Sequence, residues 1–128
     1  MTIDIATRYL PLCVWASLCV LPATRTLAAE RSPVTSLKPL LIAAIERGEA
    51  HGRLVGEAAS FMQKRFGTAA PVEIDVRALA ALPQAGCSRL EVTTRQNAVR
   101  ETGSQSAARK ELVYQVSYCR DGSFPQPR

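Results

Sequence analysis

The sequence predicts an α+β domain in which two N-terminal helices pack on one face of a small three-stranded antiparallel sheet, after a cleaved signal peptide. Three observations predict it: an uncharged apolar run near the amino terminus, apolar residues at helical spacing between Leu37 and Phe66, and apolar–polar alternation in three later segments.

The run from Tyr9 to Ala23 holds 15 residues without a charge. That is the length of a signal-peptide core, whereas about 20 residues are needed to cross a bilayer as a helix. Pro11 and Pro22 bracket it, Arg25 follows, and Ala28 and Ala29 supply small residues for processing, so cleavage is expected before Glu30. The n-region is only slightly basic, with Asp4 and Arg8. A lipid anchor is the competing reading because Cys13 and Cys19 lie in the segment, but Leu12 and Leu18 precede them where lipoprotein processing resembles a pattern with a small residue. The organisation expected is a signal peptide at 1–29, a flexible leader at 30–35, one α+β domain at 36–121 and a flexible tail at 122–128. No stable membrane span is expected after cleavage.

The expected mature chain keeps fourteen basic and ten acidic residues, a net charge of +4. Its arginines are scattered among acids rather than clustered with aromatics, so no nucleic-acid partner is expected. Cys87 and Cys119 remain as an even pair in an oxidising compartment, and a disulfide between them is expected. A metal site would need more than two thiols and one histidine, so no metal and no cofactor are expected.

Thr35 and Ser36 offer caps to a first helix, with Pro39 in its first turn. Leu37, Leu40, Leu41, Ala44 and Ile45 form one stripe of that helix. Gly48 and Gly52 flank Glu49-Ala50-His51, which is read as a break. A second helix is expected over about Leu54 to Phe66, with Ala58, Phe61, Met62 and Phe66 on its apolar side, and Gly67 ends it.

Val72 to Arg77 alternates as a strand, followed by strands at Cys87–Gln96 and Leu112–Cys119 with a flexible loop at Asn97–Ala108 between them. If Cys87 lies opposite Cys119 in an antiparallel pair, all paired residue numbers sum to 206. Leu90 then meets Val116, Val92 meets Tyr114 and Thr94 meets Leu112 on the core face, while Arg95 meets Glu111 on the other as opposite charges.

His51 is the only histidine, so a triad or acid–base site must pass through it. Neither a nucleophile motif nor a metal-ligand spacing accompanies it, and a solvated turn between helices is expected. Gly48 to Gly56 contains three glycines but joins two helices and lacks the Lys and Ser/Thr of a phosphate loop. Glu73 and Asp75 share a face about 7 Å apart, yet a paired-carboxylate hydrolase needs a cleft and a raised pKa on one of them. No catalytic residue is assigned.

The outer face carries Glu73, Asp75, Arg77, Arg89, Glu91 and Arg95, the residues expected to bind a partner if that face docks another exported protein. Docking by strand addition at an open edge is the mode considered. Three stretches, Pro71 to Arg77, Gly86 to Gln96 and Tyr114 to Gly122, resemble small exported proteins encoded with conjugative elements of Gram-negative bacteria. The resemblance covers the strand region and part of the helices, rests on no catalytic motif, and implies a periplasmic accessory part of a conjugative or type IV secretion apparatus. The expected function is a non-enzymatic periplasmic accessory protein that binds other envelope proteins. The alternatives are a small secreted enzyme or enzyme inhibitor acting on cell-wall material, and capture of an anionic ligand by the +4 surface.

Overall fold

The computed structural model describes residues 30–103 and 106–127, so the expected signal peptide lies outside the described residues. Seven elements follow in chain order: β1 (Ser32–Val34), α1 (Lys38–Arg47), β2 (Glu49–Leu54), α2 (Glu57–Arg65), β3 (Val72–Ala81), β4 (Cys87–Val99) and β5 (Ala108–Cys119). The strands form one mixed sheet in the order β1-β2-β3-β4-β5. β1 runs parallel to β2, with α1 as the crossover a parallel pair requires, and every other neighbouring pair is antiparallel. Among the described residues no helix is long and apolar enough to cross a membrane.

The three-stranded antiparallel sheet expected from the sequence is therefore wrong: the sheet has five strands and is mixed. Both extra strands come from segments read as something else. Ser32–Val34, expected in a flexible leader, forms β1, a three-residue strand with a proline whose period is too short to register. Glu49–Leu54, expected as a break and the start of a second helix, forms β2. Its inward positions are Ala50, Gly52 and Leu54, small at the two sites under α1, so the strand alternates without looking amphipathic. α2 consequently starts three residues later than expected.

α1 matches its expected stripe, burying Leu40, Leu41 and Ala44. Thr35 and Ser36 do not cap it; the Leu37 carbonyl accepts from the N–H groups of Leu40 and Leu41 at 3.0 and 3.2 Å. Gly48 ends it at φ 93°, donating its N–H to Ala44 at 2.8 Å, a left-handed cap that a side chain would strain. That reversal lets the chain enter β2 one residue later. The core lies between α1 and the middle strands, where Val76, Leu90 and Val92 are fully enclosed. α2 covers the same sheet face loosely: Ala59 is its one buried residue and Phe61, expected inside, is exposed.

Gly52 sits where α1 approaches most closely. A Cβ there would lie 2.6 Å from Leu40 Cδ1 and 3.2 Å from its Cγ, and Leu40 is itself buried. Gly52→Ala is expected to overpack this contact and cost about 1–2 kcal/mol. Chemical denaturation checks it, and an unchanged midpoint would mean that α1 can move outward freely.

The β3–β4–β5 meander carries the expected strands, each longer than expected. β4 and β5 pair from Cys87–Cys119 to Gln96–Lys110 with residue numbers summing to 206, as the disulfide hypothesis required. One residue is then inserted in β4 at a bulge, where Ala98 adopts φ 53°, and Val99 resumes pairing opposite Ala108. The segment after β5, expected as a flexible tail, folds back: Tyr118 Oη–H donates to Gly122 O at 2.8 Å, Phe124 meets the Tyr118 ring edge-on at 5.2 Å, and the Gln126 N–H donates to Gln84 Oε1 at 2.9 Å.

Candidate functional site

The sheet face away from the helices carries side chains that alternate in charge across the strands. One row reads Arg53, Glu73, Arg95, Glu111 through the registered pairs of β2 to β5, and another reads Glu49, Arg77, Glu91, Gln115. The row between them is His51, Asp75, Thr93, Val113. Opposite charges directly across a strand pair attract, so the pattern reinforces the register that creates it.

Asp75 is the centre of this face. Arg31, immediately before β1, reaches over β2 and donates from Nη1 and Nη2 to the two carboxylate oxygens at 2.8 and 3.3 Å. His51 Nδ1 lies 2.6 Å from Oδ1, and Arg95 Nη1 contacts Oδ2 while its Nε donates to Glu111 at 2.7 Å. Burial raises the carboxyl pKa, but the hydrogen bonds from Arg31, His51 and Arg95 and the Arg31 charge outweigh it and lower Asp75 to about 2. An ionised carboxylate only accepts, so the Nδ1–H of His51 donates to it and Nε2 faces outward, 3.8 Å from Glu49 Oε1.

His51 is thus a strand residue paired with a carboxylate, and the solvated inter-helix turn expected for it is corrected. The pairing was signalled in the sequence: Glu49-x-His51-x-Arg53 set antiparallel to Glu73-x-Asp75-x-Arg77 is complementary in charge at both ends. An aspartate that fixes Nδ1 leaves Nε2 in the orientation of a general base, but among the described residues no hydroxyl or thiol is hydrogen-bonded to His51, and no cluster of three or more metal-ligating side chains is present. Asp75, held ionised, is the reverse of the carboxylic acid a glycosidase requires.

The residues expected to bind a partner are mostly engaged with one another. Glu73 and Arg31 approach to 3.6 Å, Arg77 donates to Glu91 at 2.8 Å, and Asp75 and Arg95 share the central cluster. Arg89 stands apart beside the folded-back tail, in a cleft with Ser117 and Pro125.

What this face leaves open is the strand at its border. β5 is the last strand of the sheet, and among the described residues no strand pairs with its outer edge. The N–H of Arg120 donates inward to Gly86, whereas that of Cys119 donates outward to Ser123. Antiparallel alternation therefore turns the backbone groups of Glu111, Val113, Gln115 and Ser117 outward. Leu112, Val113 and Tyr114 are 61%, 52% and 37% exposed along it. Leu112 and Tyr114 lie on the helix-covered face as expected but are not enclosed, because neither helix covers this stretch of β5; a cleft of about 300 Å³ remains between Leu112 and both Met62 of α2 and Phe66 just beyond that helix. The opposite edge is protected differently, since β1 is three residues long and contains Pro33.

The fold and this face define an α+β domain with a charge-laddered sheet, one disulfide and one long open strand. Comparison with protein-family models, curated proteins and solved structures finds no match to the chain.

Proposed function

We propose that this chain is an exported, non-enzymatic accessory protein that acts by binding other envelope proteins, and that the outer edge of β5 is where it binds. The observation that carries this reading is that edge: outward-facing backbone groups flanked by three consecutive exposed apolar side chains, with neither proline, bulge nor helix protecting the stretch from Glu111 to Ser117. The Cys87–Cys119 disulfide suits an oxidising compartment, in keeping with the leader read in the sequence. The resemblance of the strand region to exported proteins of conjugative elements supports the periplasm and a conjugative transfer apparatus as the setting. The alternative, a small secreted enzyme or inhibitor, draws on the His51–Asp75 contact but lacks a nucleophile beside it.

A photocrosslinking side chain in place of Val113, with the chain expressed in its native host, is expected to give adducts of defined mass with envelope proteins, a second copy of the chain counted among them. The same group at Glu46, on the exposed side of α1, is the control. Adducts at neither position, or equal adducts at both, would overturn the assignment of the edge.

A further inference from the structure

We infer that the envelope proteins this edge accepts include a second copy of the chain, added antiparallel about a two-fold axis through Val113. The inference rests on the reading of β5 as the binding edge. Such an axis can pass through a residue of either phase, because directly opposed residues of an antiparallel pair alternate between hydrogen-bonded and non-hydrogen-bonded. An axis through Leu112 opposes Val113 to the partner's Glu111, one through Tyr114 opposes it to the partner's Gln115, one through Lys110 sets lysines face to face and one through Val116 reaches Cys119 beside the tail, which leaves Arg109, Glu111, Val113, Gln115 and Ser117 as centres.

Charge and hydrogen bonding then select one of them. An axis through Arg109 or Glu111 sets two like charges directly opposite each other. An axis through Gln115 places Glu111 against Cys119, whose N–H is already taken by Ser123, and an axis through Ser117 runs the partner strand into the folded-back tail. With the axis through Val113, the partner's Val113 lies opposite Val113, Glu111 meets the partner's Gln115, and Lys110 meets the partner's Val116. No like charges face each other. On the helix-covered face Leu112 meets the partner's Tyr114, twice by symmetry, so the exposed apolar side chains of this edge fall at the centre of the contact. The two sheets become one continuous ten-stranded sheet. Since the axis is perpendicular to the sheet, both helical layers lie on the same side and both charge ladders on the other.

The test uses the disulfide-intact domain in sedimentation velocity over a concentration series. A concentration-dependent dimer is expected. Val113→Pro removes an N–H that points to solvent, so it is expected to keep the thermal midpoint while raising the dimer dissociation constant at least about tenfold. Register is read by single cysteines: Val113→Cys is expected to cross-link to itself on oxidation, since opposed Cα atoms about 5.5 Å apart permit a disulfide. Glu111→Cys and Gln115→Cys are expected to cross-link efficiently only when mixed. A monomer at every concentration, a dimer indifferent to Val113→Pro, or a self-linked Glu111→Cys would overturn the inference. A monomer whose Val113 photoadducts in the host contain a different envelope protein would refute the second copy while leaving the binding edge standing; a monomer without adducts refutes both.

Discussion

Opening the Cys87–Cys119 bond is expected to cost this domain more than any single side-chain truncation in its core periphery, about 3.5 kcal/mol. The two cysteines are 32 positions apart, and in the chain-entropy account a closed loop of that size removes about this much freedom from the unfolded chain. The bond ties the first residue of β4 to the last residue of β5, both buried, and so clamps the hairpin at the end opposite its loop. β5 depends on that clamp because one of its edges is open and most of its length is exposed. The Cys87→Ala/Cys119→Ala double variant, which avoids a stray thiol, is expected to melt roughly 15–25 °C below the oxidised protein. Reductant should bring the unsubstituted protein to a similar midpoint and leave the double variant unmoved. A midpoint insensitive to both changes would mean that the hairpin is held by its ladder alone.

Removing the central carboxylate of the outer face is expected to be the next largest effect. Asp75→Asn keeps the shape but takes the anion away from Arg31, His51 and Arg95, leaving two guanidinium groups without their shared acceptor charge. The folded Asp75 carboxyl, at about 2, lies below its ordinary 3.8, so ionisation favours the folded state. That contribution, on the order of 2 kcal/mol, is fully present above pH 3.8 and is lost as the pH falls toward 2. The side chain is only 22% exposed, which limits screening by solvent. Urea denaturation at a series of acidic pH values checks the sign: the parent protein should lose stability through this window and Asp75→Asn should be both weaker at neutral pH and flatter below pH 4. Parallel curves would assign the acid sensitivity to other groups.

The hairpin was legible in the sequence because several independent demands met in one register. A sulfur bridge at Cys87 and Cys119, apolar facing pairs at Leu90–Val116 and Val92–Tyr114, and the Arg95–Glu111 pair all require the same sum. The helix over Lys38–Arg47 was legible for a similar reason, since its stripe is continuous and Gly48 closes it. β2 was not, because close packing of α1 demands the smallest side chains at Ala50 and Gly52, which removes the hydrophobic signal that alternation normally supplies. β1 was hidden by its length and by Pro33, and its existence depends on β2 being there to pair with. The central cluster was lost with them. Asp75 was noticed and so was His51, but only an antiparallel β2–β3 pair brings them together, and Arg31 joins them only because β1 places it beside β2.

The single inserted residue at Ala98 makes β4 a strand with two phases. Up to Gln96 the even-numbered side chains point toward the helices, and after the insertion Val99, an odd-numbered residue, takes that direction and is buried. Without that bulge, strict alternation at the same residue count would turn Val99 to solvent and present Arg100 to the apolar interior, whereas excising Ala98 would join the two stretches in one phase with Val99 still inward. The kink therefore keeps Val99 on the buried side, which its place in the chain would otherwise deny it.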